Sequence, residues 1–138
     1  MKKIILLAVA FVSFATLTSC SKDDESASLL GKWEYSKEGT FTNGVETLVD
    51  YVPESGCSKN YSMITASTIM DHAFSGTACD ESISNLPYSR SGNTLTVTGE
   101  GGALTFLIKK LTSSSLTVYY LDPDSPTVSQ VTVFKRIN

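Results

Sequence analysis

Beyond residue 32, short runs of alternating apolar and polar residues are separated by Gly, Ser, Asn, Asp and Pro. Residues 94–98 form the clearest run, because Leu95 and Val97 alternate with three threonines. Alternation with a period of two is typical of strands that bury one face. The periodicity of an amphipathic helix is absent from this part of the sequence. The chain therefore predicts an all-β domain.

The pattern predicts about eight to ten strands, with turn signals between neighbours. Asn43-Gly44 is one such signal, since Asn-Gly favours a tight β-hairpin. Tight turns favour antiparallel pairing, and closure of the sheet on itself removes its exposed edges. We therefore expect an antiparallel up-and-down β-barrel of about eight strands. The predicted segments are 32–37, 45–52, 61–66, 68–74, 79–84, 87–90, 94–98, 103–111, 116–121 and 128–137.

The N-terminus differs from the rest of the chain in charge and hydropathy. Lys2 and Lys3 make its start positive, whereas residues 4–17 carry no charge and are mostly apolar. That run is shorter than the ~20 residues that a helix needs to cross a bilayer. A positive start, a short apolar segment and small residues after it are typical of a secretory signal peptide, here residues 1–19. The alternative is an N-terminal anchor helix.

Leu17-Thr18-Ser19-Cys20 follows the apolar segment and resembles the lipobox of bacterial lipoproteins. The resemblance implies cleavage before Cys20 and attachment of lipid to its thiol, which makes the membrane a partner of the mature chain. Buried acyl chains contribute ~0.8 kcal/mol per CH₂, and stable anchoring needs more than one chain. The alternative is a plain secretory signal in which the cysteine occurs by chance.

A charged segment, Ser21-Lys22-Asp23-Asp24-Glu25, comes next. It resembles the surface-export signal that follows the lipidated cysteine in one large group of bacterial lipoproteins. The resemblance implies an outer-membrane lipoprotein exposed at the cell surface. Two alternatives remain: a lipoprotein that faces the periplasm, and a solvated tether that holds the domain off the membrane. We assign residues 20–28 to the tether by their polar composition and residues 29–138 to one folded domain.

Charge and cysteine content narrow the functional classes. The chain has 11 Lys and Arg against 14 Asp and Glu, for a formal net charge of -3, and loss of the signal peptide makes it more acidic. Such a chain offers no basic patch for nucleic acid. Outside the cytoplasm, Cys57 and Cys79 predict a disulfide. The alternative is a metal site that combines these cysteines with Asp71 and His72.

Four short motifs together resemble the lipocalin-like domains of bacterial lipoproteins, and they are spread over nearly the whole mature chain. They are Leu29-Leu30-Gly31-Lys32-Trp33, SGNTLTV at 91–97, LTSSSLTV at 111–118 and Phe134-Lys135-Arg136. The resemblance implies that Trp33 plugs the closed end of a barrel of about eight strands and that Arg136 packs across its ring. The alternative is an ordinary core tryptophan in another β fold.

The interior of a barrel of this size is either just filled by side chains or holds one small ligand. Strand alternation predicts an apolar interior with several phenol groups, which suits a small hydrophobic ligand. The residues expected to contact it are Tyr35, Tyr51, Phe74, Tyr88, Phe106 and Tyr120. The other inward positions are Val49, Ile64, Leu95, Val97, Ile108, Val118 and Phe134. The alternative is that all of these residues pack the core.

The sequence lacks the familiar motifs of catalysis. It contains neither a Gly-x-Ser-x-Gly nucleophile motif nor a phosphate-binding loop. Asp71 adjoins His72, the only histidine, but neighbouring strand residues point to opposite faces. We therefore expect no enzyme, no cofactor and no metal. Two functions remain: a surface lipoprotein that binds a small hydrophobic molecule, and a structural or protein-interaction lipoprotein with a packed core.

Overall fold

The structure is a computed structural model, and it describes residues 27–138. The predicted signal peptide, Cys20 and the charged segment 21–25 lie outside the described residues. Within residues 27–138, no helix is long and apolar enough to cross a membrane. The strands are β1 (Gly31–Thr42), β2 (Val45–Asp50), β3 (Tyr61–Ile64), β4 (Thr68–Ser75), β5 (Asp80–Ser91), β6 (Thr94–Gly99), β7 (Gly102–Leu111), β8 (Ser115–Tyr120) and β9 (Val128–Ile137).

All strands belong to one antiparallel sheet that closes where β9 pairs with β1. β3 pairs with residues 31–34 of β1, and β2 pairs with residues 37–42 on the same edge. β2 and β3 therefore form a single position in the barrel, interrupted by residues 51–60. Counted in this way, the nine strands fill eight positions. The predicted antiparallel up-and-down barrel is confirmed.

Two backbone features shape the hairpin of β1 and β2. Asn43 and Gly44 both have positive φ, at 51° and 80°, as the favoured two-residue hairpin turn requires. At Gly39, an added Cβ would lie 1.8 Å from the carbonyl oxygen of Thr47. Only glycine allows the two backbones to approach so closely, so a larger residue at position 39 would push β1 and β2 apart.

β5 is one continuous strand, whereas the sequence pattern predicts two segments, at 79–84 and 87–90. Residues 80–87 pair with β4 and residues 88–91 pair with β6, so Pro87 lies where β5 changes partner. Proline has no N–H to donate and is tolerated where one edge of a strand is unpaired. The prediction of two strands is wrong because Pro87 marks a change of neighbour and not a break.

The main core lies inside the barrel toward the end where β1 begins. Its fully buried residues include Trp33 at 0% exposure and Leu116 at 2%. Burial of such apolar surface stabilises a fold by about 25 cal/mol per Å². Val131, 1% exposed, instead lies next to Gly39 on the outer face, where it pairs with Tyr119. The barrel therefore buries apolar side chains on both of its faces.

A disulfide joins Cys57 to Cys79, with the two Cα atoms 5.3 Å apart. The predicted disulfide is confirmed. It ties the insertion at residues 51–60 to the turn between β4 and β5. Because both sulfur atoms are used in this bond, the alternative metal site built on the two cysteines is contradicted.

Candidate ligand-binding site

Trp33 and Arg136 close the barrel at the end where β1 begins. The Trp33 indole Nε1 donates a hydrogen bond of 2.8 Å to the Leu29 carbonyl. The Arg136 guanidinium carbon lies 4.1 Å from the centre of the Trp33 ring. Arg136 also donates to three carbonyls, those of Ser113 at 2.7 Å, Leu30 at 2.8 Å and Ser28. One side chain thus joins the ring, the preceding segment and the turn after β7.

The segment before β1 is part of this closure. Ala27 packs against the core and Leu29 is buried, with 4% exposure. The Ser28 hydroxyl accepts a hydrogen bond of 3.1 Å from the Leu30 amide. The polar composition of residues 20–28 predicts that Ala27 and Ser28 belong to the tether, but both contact the barrel.

Above Trp33 the barrel encloses a cavity of about 150 Å³. Leu104 lines it and is 41% exposed, so the cavity reaches the surface near β7. Known ligand pockets span roughly 300–1,000 Å³, whereas an apolar cavity of about 150 Å³ can hold a molecule the size of benzene. The space therefore suits a small ligand. Its apolar lining consists of Trp33, Ile64, Ile69, Leu86, Leu95, Val97, Leu104, Phe106, Leu116, Val118 and Phe134.

Three polar side chains line one side of this mostly apolar cavity. Asp71 of β4, Ser62 of β3 and Tyr35 of β1 all line it. The Ser62 hydroxyl donates to Asp71 Oδ1 at 2.5 Å, and the Tyr35 hydroxyl lies 3.3 Å from both carboxylate oxygens. Burial of the phenol, followed by the nearby charge of Asp71, raises the pKa of Tyr35. Tyr35 therefore stays protonated and remains a hydrogen-bond donor.

The residues expected to contact a ligand occupy three different places. Tyr35 and Phe106 line the cavity. Tyr51 and Tyr120 are outside the lining but touch it, since each ring centre lies 5.4 Å from that of Tyr35 or Phe106, respectively. Tyr88 is also outside the lining. Its hydroxyl donates to the Thr65 carbonyl at 2.7 Å, so it braces the turn between β3 and β4.

Phe74 and Val49 do not face the cavity, and the prediction for both is wrong. Ile69 and Asp71 of β4 point inward, so alternation places Phe74 on the outer face. There its ring centre lies 6.2 Å from that of Tyr61. Val49 is 61% exposed because, in the described sheet, the edge of β2 away from β1 has no paired strand.

His72 lies on the outer face, opposite to its neighbour Asp71, as strand alternation predicts. Its ring stacks on Tyr61 with centres 4.3 Å apart, and its Nδ1 lies 2.6 Å from the Glu81 carboxylate. Lys32 Nζ covers the same Tyr61 ring at 4.1 Å. Among residues 27–138, no three His, Cys, Asp or Glu side chains form a group that could hold a metal ion.

Sequence reasoning did not identify Asp71 and Ser62 as cavity residues. A polar residue in an alternating strand is normally assigned to the solvent face. Ile69 and Asp71 are two positions apart in β4 and so point to the same face. The apolar Ile69 is therefore the signal in the sequence that Asp71 points inward. Ile64 in β3 is likewise two positions from Ser62, so the two residues point to the same face. Both are buried, Ile64 at 7% exposure and Ser62 at 5%.

Solved structures with the same architecture include bacterial proteins. A lipocalin-like protein from Bacteroides uniformis matches with a TM-score of 0.55 at 17% identity, over 79% of this chain and 98% of that chain. The fold is lipocalin-like. An uncharacterised protein from Bacteroides eggerthii matches with a TM-score of 0.54 at 12% identity, over 80% of this chain and 100% of that chain.

A further solved structure is less similar. Bovine odorant-binding protein in complex with undecanal gives a TM-score of 0.47 at 15% identity, over 86% of this chain and 77% of that chain. No protein-family model matches the sequence, and no curated protein matches it. At these identities the likeness shows the fold alone.

Proposed function

We propose that this protein binds a small hydrophobic molecule inside its barrel. The observation that carries the proposal is the cavity of about 150 Å³ above Trp33, whose lining is almost entirely apolar. A core filled by its own side chains would leave only voids smaller than a water molecule. The cavity therefore favours the binding function over the alternative of a structural protein with a packed core.

The chemistry of the cavity supports binding without catalysis. Its polar groups are the hydroxyls of Tyr35 and Ser62 and the carboxylate of Asp71. His72, the only histidine of the chain, lies on the other face of β4. The Ser62 hydroxyl thus has a carboxylate partner but no imidazole to take its proton, as an activated serine nucleophile requires.

The same proposal includes attachment to the outer membrane through Cys20, with the barrel exposed at the cell surface. The lipobox-like residues 17–20 and the charged segment 21–25 support it. The disulfide between Cys57 and Cys79 agrees with a location outside the cytoplasm, because such bonds persist in oxidising compartments.

Mass spectrometry under non-denaturing conditions tests the binding function. We expect purified protein to carry an extra mass that solvent extraction removes, and the extracted protein to take up small apolar molecules. Val97→Phe should abolish the uptake, because Val97 lines the cavity and is 5% exposed. Val49→Phe is the matched control at an exposed position. If extracted wild-type protein takes up no apolar or aromatic molecule, the binding proposal is wrong.

Membrane attachment has a separate test. Cys20→Ser should move the protein from the membrane fraction to the soluble fraction, because the thiol that carries the lipid is lost. Ser19→Ala is the control, since it keeps the cysteine and a small residue before it. A Cys20→Ser variant that stays in the membrane fraction would show that the lipid is not the anchor.

A further inference from the structure

We infer that the ligand is a small apolar amine whose ammonium group binds Asp71 inside the barrel. This inference rests on the proposed binding function and specifies its ligand. The observation behind it is that the Asp71 carboxylate lines a mostly apolar cavity.

The negative charge of Asp71 has no cationic partner in the described part of the chain. The lysine–carboxylate ion pairs there join Lys37 to Asp50 and Lys59 to Glu34, and His72 contacts Glu81. Asp71 receives only neutral hydroxyl groups, from Tyr35 and Ser62. Asp71 is partly buried, and a carboxylate that loses part of its hydration without a counter-charge is destabilised. A ligand ammonium would supply the missing charge within the cavity.

The carboxylate also has hydrogen-bonding capacity to spare. An ionised carboxylate offers about four acceptor sites on its two oxygens. Asp71 Oδ1 accepts a hydrogen bond of 2.5 Å from Ser62. Asp71 Oδ2 has only the 3.3 Å contact with the Tyr35 hydroxyl, which lies equally far from Oδ1. The two hydroxyls fix the orientation of the carboxylate and leave Oδ2 available. An ammonium, with three donors, fits that need.

The surroundings of Asp71 favour a cation further. The Tyr35 ring, beside the carboxylate, contacts Phe134 at 4.7 Å and Tyr51 at 5.4 Å between ring centres. The faces of aromatic rings attract a nearby ammonium group. The cavity volume of about 150 Å³ sets the size of the apolar part at one ring or a short alkyl chain. The ligand class is therefore a small arylalkylamine or alkylamine.

Trp33 provides the signal for the experiment, because it is the only tryptophan and it lines the cavity. Purified protein is titrated with 2-phenylethylamine, 2-phenylethanol and 3-phenylpropionate while Trp33 fluorescence is recorded. These probes share a ring and differ in the charge at the end of the chain. We expect the amine to bind at least tenfold more tightly than the alcohol, and the carboxylate to bind most weakly.

Two variants separate the charge of Asp71 from a general effect of acidity. Asp71→Asn keeps the shape of the side chain and removes its charge, so amine affinity should fall at least tenfold while alcohol affinity stays within about twofold. Glu81→Gln removes an acid from the outer face, where Glu81 contacts His72, and should change neither affinity. Thermal unfolding of each variant checks its fold.

Each outcome decides the inference. Equal affinity of the wild-type protein for the amine and the alcohol would overturn the amine assignment. The proposed binding function would still stand. This comparison is made on the wild-type protein alone. Preferential binding of the amine that survives in folded Asp71→Asn would also overturn the role of Asp71. Uptake of none of the probes, nor of any apolar molecule in the mass measurement, would overturn the binding function itself.

Discussion

The hydroxyl of Tyr119 donates a hydrogen bond of 2.6 Å to the carboxylate of Glu46, although the two residues are 73 positions apart in the sequence. The bond lies on the outer face, where the Tyr119 ring also contacts Phe41 at 5.1 Å between ring centres. Lys109 Nζ lies 5.3 Å from the centre of the same ring. These contacts attach the hairpin of β1 and β2 to the wall formed by β8.

Alkaline pH should weaken this attachment. Burial of the phenol, followed by the hydrogen bond to Glu46, raises the pKa of Tyr119 to about 12. An unfolded tyrosine has a pKa near ~10, so the folded protein holds this proton more tightly. The resulting stability is complete below pH ~10 and is lost as the pH rises toward about 12.

Urea unfolding of wild type, Tyr119→Phe and Glu46→Gln at about pH 8 and about pH 11 measures this effect. At the lower pH, Tyr119→Phe should have a free energy of unfolding about 1 kcal/mol below that of wild type, because one hydrogen bond is removed. Between the two pH values, the free energy of unfolding should fall less for Tyr119→Phe than for wild type. Glu46→Gln keeps an acceptor and should lower the pKa of the Tyr119 phenol. The prediction is contradicted if wild type and Tyr119→Phe lose the same stability between the two pH values.

Arg136→Ala should lower the free energy of unfolding by about 2–4 kcal/mol, because it removes the contact with Trp33 and three hydrogen bonds to carbonyls. Arg136→Lys keeps the charge but not the planar fork and should lose about half as much. Arg90→Ala is the control, since Arg90 makes one bond to the Gly92 carbonyl. Equal effects at the two arginines would exclude a special role for Arg136.

Replacing both Cys57 and Cys79 with Ser should lower the free energy of unfolding by roughly 3 kcal/mol. The bridge spans a sequence separation of 22 residues, and closing such a loop restricts the unfolded chain. Urea unfolding measures the effect, and reduction of the wild-type protein should reproduce it. Identical midpoints for the oxidised wild type and the double variant would be inconsistent with a stabilising bridge.

Replacing Asp23, Asp24 and Glu25 together with Ala should remove the protein from the protease-accessible cell surface without releasing it from the membrane. The reason is that the proposed export signal would be lost while Cys20 remains. Protease treatment of intact cells, followed by detection of the protein, provides the measurement.

A matched variant distinguishes an export signal from a general effect of acidity. Asp80, Glu100 and Asp124 are exposed residues of the barrel, and their joint replacement with Ala removes the same charge. This variant should remain accessible to protease. If the variant of residues 23–25 also remains accessible, the charged segment is only a tether.

The sequence carries most of the information about the fold. In β6, Leu95 and Val97 alternate with threonines, and both valine and leucine are buried as predicted, at 5% and 2% exposure. Asn43-Gly44 specifies its turn through backbone geometry alone. Such features are local, so one sequence reveals them. The interruption between β2 and β3 is not local, because it depends on which parts of β1 each strand pairs with.

The site is harder to predict because some apolar and aromatic side chains of this barrel pack on its outer face. Phe74 is apolar and lies in an alternating strand, yet it packs outside against Tyr61. Asp71 is charged, yet it points inward to Ser62 and Tyr35. Polarity assigns both residues to the wrong face. Their true positions follow from Ile69, whose parity fixes the whole of β4.

The position of Ala27 shows which end of the barrel the N-terminal segment joins. Ala27 packs at the closed end of the barrel, near Trp33 and Arg136, while the loop at 121–127 and the turn at 100–101 lie at the opposite end. The stretch from Cys20 to Ala27 spans at most ~25 Å when fully extended. A lipid on Cys20 would therefore keep the closed end of the barrel within about that distance of the bilayer. With the open end facing away from the bilayer, a ligand would enter the barrel from the surrounding water.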